Sequence, residues 1–385
     1  MTGAADASGE LESLKRRGLL RTLRPRPAAG GKFTDPAGRT VLNFSSNDYL
    51  DLAGDARLKA AAVEAIGRWG CGATASRLMA GHLEIHERLE RRLAAWTGRE
   101  AALLFGSGFL TNLGVLTALA GRADAIFADR TVHASLIDAA RLSGARLHRF
   151  RHNDTEHLSW LLERHASRRR AIVCESIYSM DGDAAPLAEL SQIAGRHEAM
   201  LVVDEAHAVG VFGPRGSGLC RTDDAIRPDV VIGTLSKALG GYGGFAACSA
   251  AIRELLINRA RSFIYSTGLP PACAGSALAA LDVLDASPDL GDRLLERSAA
   301  LRQMLADAGL DVGPSCSQIV PVIGGGSERV LSLSRRLAER GLLAVAVRPP
   351  TVPAGTARLR LSVTLAHQRA DLERAANEVV AESGR

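Results

Sequence analysis

Between about Ser45 and Leu284 the chain alternates short apolar runs with longer amphipathic stretches. The runs are AALLF (101–105), ADAIFAD (123–129), ARLHRF (145–150), AIVCES (171–176), AMLVVDE (199–205) and DVVIGT (229–234). Helical patterns such as Thr111–Ala120 and Pro186–His197 separate them. Runs that are apolar at nearly every position belong to strands buried on both faces. Strand–helix alternation of that kind predicts an α/β fold with a mainly parallel sheet covered by helices.

One connection breaks the rule. Between DVVIGT and GGFAACS (243–249) there is no room for a crossover helix. A parallel return needs a dozen or more residues, so this pair is predicted antiparallel. Lys237 then sits in the connection, at one edge of the sheet. The segment DASPDLGD (285–292) reads as a boundary. Beyond it the pattern predicts a helix (293–308), a strand (318–323), a helix (327–340), strands at 342–347 and 357–363, and a closing helix (368–382). The predicted organisation is an N-terminal segment 1–45, a large domain 46–285 and a smaller α+β domain 286–385. Leu11–Leu23 is read as a short basic helix feeding a Pro/Gly-rich patch at Pro25–Gly31.

The chain has 385 residues, and its net charge of +5 comes mostly from arginine. Nucleic-acid binders concentrate such charge in a stripe interleaved with aromatics. Here aromatics are 4%, and the densest run, Arg168–Arg170, directly precedes a strand, where a solvated helix end explains it. Six scattered cysteines with no C-x-x-C pattern give no metal spacing and favour a reducing compartment. No apolar run approaches membrane-spanning length and no apolar signal core opens the chain, so a cytoplasmic protein without a membrane or nucleic-acid partner is expected.

Lysine is rare: Lys15, Lys32, Lys59 and Lys237 are the whole set. Lys237 alone lies in the central region, just past a buried strand, where solvating an ammonium is hard. Asp204 ends another apolar strand, and His207 follows in the turn. Alone, Asp204 reads better as a helix cap. With Lys237 also ending a strand, the two are expected to approach each other across the carboxyl edge, where open α/β sheets place ligand groups. In LLFGSGFLTN a glycine-bearing turn precedes a helix start, a cradle for an anion such as phosphate. Ser179 and Thr234 supply hydroxyls at other strand-end turns, though local turn bonding accounts for each singly. His133 in DRTVHASL is an ordinary helix-start residue in isolation, yet a flat ring there suits stacking on a planar cofactor. Together these groups fit pyridoxal phosphate: an amine for its aldehyde, a carboxylate for its ring nitrogen, amides for its phosphate. Desolvation lowers a lysine pKa from about 10.4 and favours the neutral nucleophile.

At this point the chain resembles the α-oxoamine synthases, a branch of fold type I pyridoxal phosphate enzymes. The matching stretches are NFSSNDYL (43–50), ASRLMAGHLEIHERLE (75–90), SGF (107–109), VHASL (132–136), SMDGD (179–183), VDEAH (203–207), TLSKALG (234–240), IYSTGLPP (264–271) and RPPTVPAGTARLRLS (348–362). The resemblance implies a seven-stranded large domain, a smaller C-terminal domain and a homodimer. It implies that Lys237 carries the cofactor, Asp204 pairs with the ring nitrogen, His207 reaches the ring hydroxyl and His133 stacks on the ring. Gly108, Phe109, Ser179 and Thr234 are implied cofactor contacts, with Thr267 reaching the phosphate across the dimer interface. Arg21, Thr351, Arg348, Arg360 and Asn47 are implied at the substrate, and no metal is. An arginine fork suits a carboxylate, though a lone strand arginine is usually a surface residue. The implied reaction is a decarboxylative condensation of L-alanine with a pimeloyl thioester on coenzyme A or acyl-carrier protein. Sibling reactions join glycine to acetyl-CoA or serine to a long acyl-CoA. An aminotransferase or a cofactor-binding regulator are the other readings; RPPTVPAG speaks against the first, and the lack of a helix-turn-helix pattern against the second. One departure stands out: SNDYLDL carries Asp51 where the family often has glycine.

Overall fold

The computed structural model describes residues 7–23, 25–27 and 30–384, so Ala28 and Ala29 of the Pro/Gly-rich patch lie outside it. Helix α1 (Ala7–Arg16) stops well short of the predicted Leu23. Gly18 adopts φ +63° and its N–H closes onto the Lys15 carbonyl, a left-handed termination that ends the helix early. Strands β1 (Lys32–Thr34) and β2 (Thr40–Asn43) pair antiparallel, and helices α2 (Ala56–Trp69) and α3 (Glu84–Thr97) follow.

The alternating segment then runs β3 (Ala101–Phe105), α4 (Gly108–Leu119), β4 (Ala125–Asp129), α5 (Ala134–Ser143), β5 (Arg146–Phe150), α6 (Thr155–Arg164), β6 (Arg170–Glu175), α7 (Leu187–Arg196), β7 (Met200–Asp204), β8 (Val230–Thr234) and β9 (Gly244–Cys248). These strands form one seven-stranded sheet in the order β3-β9-β8-β7-β6-β4-β5. Neighbours are parallel throughout except at β9, which is antiparallel to both β8 and β3. Every residue of β4, β8 and β9 is buried, which is why the sequence shows no in–out alternation there. Because β6, β7 and β8 lie side by side in one direction, their carboxyl ends open on the same edge, with Glu175 in register with Asp204.

Helices α8 (Ala250–Arg259), α9 (Arg261–Ile264) and α10 (Pro271–Ala286) complete the cover, and α11 (Leu290–Asp307) leads into a smaller C-terminal domain. There β10 (Ile319–Gly325), α12 (Ser327–Glu339), β11 (Leu342–Leu343), β12 (Val345–Val347), β13 (Ala357–Ser362) and α13 (Arg369–Ser383) follow in turn. The single strand expected at 342–347 is two. β11 joins β2 in parallel, whereas β12 joins β13 in the antiparallel sheet β10-β13-β12. The Ser45 hydroxyl sits at the break, accepting the Val345 N–H at 3.0 Å and donating to the Leu343 carbonyl at 3.2 Å. Residues of the N-terminal segment are thus hydrogen-bonded into the C-terminal third of the chain.

Asp51 lies at φ +58°, the left-handed region that glycine enters without steric cost. The turn is held by the buried Asp48 carboxylate, which accepts the Leu52 and Ala53 amides. It therefore keeps its shape with an unfavoured residue in it. Asp51→Gly is expected to raise the urea unfolding midpoint by an amount worth about 0.5–1 kcal/mol; a lowered midpoint would show that the Asp51 charge beside Lys32 outweighs backbone strain. No described helix is long and apolar enough to cross a membrane, and all six cysteines are free.

Candidate active site

The carboxyl ends of β6, β7 and β8 carry the chemistry. Lys237 follows β8 in a short turn, half-buried. The Thr234 hydroxyl anchors that turn on the Gly243 carbonyl at 3.0 Å and contacts the Ser236 hydroxyl at 2.7 Å. β9 begins at Gly244 because nothing larger fits. A Cβ there would lie 2.4 Å from Thr111 Oγ1 and 2.6 Å from the Gly108 nitrogen. The amino end of α4 is thereby pressed against the hairpin that bears the lysine, with Ser107 capping it through the Leu110 N–H.

Lys237 Nζ meets His207 Nε2 at 2.8 Å, not Asp204. Asp204 lines the same cavity and acts on the lysine through its charge rather than by direct contact, because its oxygens are held by other donors. Its Oδ2 accepts from Asn112 Nδ2 at 2.8 Å and its Oδ1 accepts the Ala206 N–H at 2.9 Å. Asn112 also donates to the Ser135 hydroxyl at 2.8 Å, and that hydroxyl lies 2.7 Å from His133 Nδ1. One side-chain line therefore ties Asp204 to the His133 ring. Glu205, the next residue, turns away and accepts the Cys220 N–H, as strand alternation requires.

Glu175 completes the edge. It is buried and accepts the backbone N–H of His133 at 2.5 Å and of Ser179 at 3.2 Å. One carboxylate thus clamps the two turns that carry His133 and Ser179. The sequence reading passed over it, although the apolar run AIVC leads straight into this carboxylate by the same signal that singled out Asp204. Burial and the Asp204 charge push Glu175 up to about 8. Burial brings Lys237 down from 10.5 to about 8, Asp204 and Glu175 opposing and Arg360 assisting. His207 is driven well below 6.5, again mainly by burial, and is neutral. The His133 ring is open to solvent on one side; desolvation on the other and the nearby lysine lower its pKa against the pull of Asp204.

Two adjoining cavities share the walls His133, His207 and Lys237. The inner one, about 180 Å³, is also lined by Gly108, Phe109, Glu175, Asp204, Thr234 and Ser236. The outer one, about 270 Å³, adds Ser45, Asn47, Ser179, Met180, Val345, Val347 and Arg360. The expected strand arginine at 360 is not a surface residue. Its Nε donates to the Ser179 carbonyl at 2.6 Å, Nη1 to Ser362 Oγ at 2.6 Å and Asn47 Oδ1 at 3.2 Å, and Nη2 to the Tyr49 hydroxyl at 3.4 Å. Two positions back on the same face, buried Arg358 pairs with Asp181. These two strand arginines hold the SMDGD turn over the cavity. The other expected residues lie apart from both cavities. Arg348 donates to the Leu20 carbonyl at 3.2 Å, next to exposed Arg21. Thr351 is exposed, and Thr267 is exposed and bridged to Ser76.

A half-buried amine on a strand-end turn, a carboxylate one strand away and a helix amino terminus on the same cavity define a site for a phosphorylated aldehyde cofactor. The chain belongs to the aminotransferase class I and II family, whose model matches residues 39–379. Within it, the chain is 49% identical over 373 residues to 8-amino-7-oxononanoate synthase of Anaeromyxobacter dehalogenans, covering 96% of this chain and 94% of the relative. To the enzyme of that name from Geobacter sulfurreducens it is 47% identical, covering 96% and 95%. Among solved structures, a variant of serine palmitoyltransferase from S. paucimobilis with a bound pyridoxal phosphate–myriocin aldimine superposes with a TM-score of 0.92 at 29% identity, covering 99% of this chain and 98% of that one. The 8-amino-7-oxononanoate synthase of Francisella tularensis gives 0.77 at 29% identity, covering 89% and 98%.

Proposed function

We propose that this chain binds pyridoxal phosphate at Lys237 and condenses L-alanine with a pimeloyl thioester, releasing carbon dioxide and the thiol carrier and giving 8-amino-7-oxononanoate for biotin biosynthesis. The observation that carries the reaction class is the amine of Lys237 set opposite Asp204 across a cavity closed by His133. The choice among condensing enzymes is supported by the relatives at 44–49% identity over nearly the whole chain.

The residues present fit the cofactor. The amino end of α4 at Gly108 and Phe109, with the Ser236 hydroxyl, would offer donors for a phosphate, and Thr234, whose proton goes to the Gly243 carbonyl, would line the same part of the cavity. Asp204 would hold a protonated ring nitrogen, and the Asn112 and Ala206 donors keep it aimed. His207 would reach the ring hydroxyl, Ser179 would contact the cofactor, and His133 would cover the ring. When bound, pyridoxal phosphate supplies an aldehyde for a primary amine and a ring that takes up the electron pair left by proton removal.

Lys237 is the base for the alanine Cα proton, and it returns a proton after carbon dioxide has left. Its pKa of about 8 leaves a usable neutral fraction near neutral pH. Arg360 is the nearest cation for a substrate carboxylate. Four of its five N–H groups are already engaged, so a carboxylate takes the remaining one or displaces Asn47. Arg21, Arg348 and Thr351 join the substrate site in this proposal through the contact that ties Arg348 to Leu20. Thr267 belongs to it in a homodimer, reaching the partner's phosphate. Its exposure outside either cavity supports that, as do nearby Tyr265 and Met79, 71% and 81% exposed. A division into 1–45, 46–285 and 286–385, and a cytoplasmic location in keeping with the free thiols, complete the reading.

The superposition on serine palmitoyltransferase favours a second reading, serine with a long acyl thioester, but fold likeness does not select a substrate. Mass analysis separates them. Purified protein incubated with alanine and pimeloyl-CoA or pimeloyl-acyl-carrier protein is expected to give 8-amino-7-oxononanoate. Product only from serine with palmitoyl-CoA, or only from glycine with acetyl-CoA, would overturn the assignment.

A further inference from the structure

We propose that Tyr49 is a positioning residue that fixes His207 as the tautomer protonated on Nε2, so that the imidazole presents a hydrogen-bond donor to the cofactor hydroxyl. The inference rests on the cofactor reading above.

Tyr49 is fully buried in the NFSSNDYL stretch, of which the proposed chemistry uses only Asn47. Its hydroxyl lies 2.7 Å from His207 Nδ1, is also placed to donate to Asn47 Oδ1 at 3.2 Å, and accepts from Arg360 Nη2 at 3.4 Å. A phenol has one proton to give. Arg360 cannot accept it, which leaves His207 Nδ1 at 2.7 Å and Asn47 Oδ1 at 3.2 Å, the second also receiving Arg360 Nη1. The shorter contact takes it, and Nδ1 accepts. A neutral imidazole that accepts on Nδ1 carries its hydrogen on Nε2, and Nε2 is the atom that faces Lys237 at 2.8 Å.

Both ends of the contact are neutral. Burial raises the Tyr49 pKa, so the phenol keeps its proton. Burial, with Lys237, Arg360 and His133 adding to it, keeps His207 singly protonated. The charged and titratable groups facing the pair come from four elements: Lys237 from the β8–β9 turn, Arg360 from β13, His133 ahead of α5 and Glu175 from β6. Gln318 Nε2 donates to the His207 carbonyl at 2.8 Å, so the backbone beneath the ring is fixed as well.

Tyr49→Phe removes the donor and keeps the ring that packs. A donor opposite the cofactor hydroxyl favours its ionised form. The pH midpoint of the visible band of the loaded enzyme is therefore expected to rise by about one unit in Tyr49→Phe, a tenfold change in the equilibrium. In a His207→Asn background the same substitution is expected to move it by less than about 0.3 unit, since the effect passes through the imidazole. The ¹⁵N resonances of His207 in the pyridoxal phosphate-loaded protein, where the Lys237 amine no longer faces Nε2 as an ammonium, should show Nδ1 unprotonated in the unsubstituted chain and a mixture of tautomers in Tyr49→Phe. A coloured Tyr49→Phe enzyme with an unmoved midpoint overturns the inference. So does an equal shift without His207, or a His207 protonated on Nδ1 in the unsubstituted chain. A colourless unsubstituted enzyme overturns the cofactor reading itself.

Discussion

Lys237→Ala is expected to lower turnover with alanine and pimeloyl thioester by at least about 10³-fold, since it removes the covalent anchor and the base together. The fold is expected to survive. The lysine is half-buried with one imidazole contact, and replacing it relieves the desolvation that brings its pKa down to about 8. The far-ultraviolet spectrum and the unfolding midpoint should therefore match the unsubstituted protein, and the cofactor should bind without attachment. Turnover within tenfold of the unsubstituted enzyme would show that another group abstracts the proton.

Asp204→Asn is expected to cost about 10²-fold or more in kcat, with a smaller change in KM for alanine. A charge-assisted hydrogen bond is worth about 1.5–3 kcal/mol, and the charge that Asp204 holds in place is the one on which proton removal depends. An amide at this position also turns one NH₂ group towards a donor, either Asn112 Nδ2 or the Ala206 N–H, both of which now point at the carboxylate. Weakening of the line through Ser135 to His133 follows, so cofactor affinity should fall too. Lys237 loses the carboxylate that most opposes its desolvation, and its pKa in the cofactor-free protein should drop below about 8. An unchanged kcat in Asp204→Asn would remove the carboxylate from the mechanism.

Much of the large sheet is legible because its strands are buried on both faces, and burial writes an apolar run at every position. The antiparallel β8–β9 pair is legible from length alone, and it places Lys237. Asp204 and Lys237 announce themselves as polar groups ending such runs. Glu175 carries the same signal, and only its two backbone contacts show what it does. Asn112, Ser135 and Tyr49 carry none. Asn112 reaches Asp204 across 92 residues and Tyr49 reaches His207 across 158, so their roles exist only once α4, α5 and the turn after β2 are packed. The break between β11 and β12 is equally hidden, since it is made by Ser45, about 300 residues away. Arg360 was placed at the substrate by family likeness, whereas a strand arginine by itself points to the surface. Its burial against Ser179, Asn47 and Tyr49 reflects the meeting of β13 with the SMDGD turn.

Hydride reduction of the pyridoxal phosphate-loaded protein, followed by digestion and mass mapping, addresses the central claim most directly. The account predicts the mass of the reduced cofactor on the peptide containing Lys237 and on no other, with loss of the visible band. A modified peptide containing Lys15, Lys32 or Lys59 instead, or no modified peptide from a protein that takes up the vitamin, would contradict it.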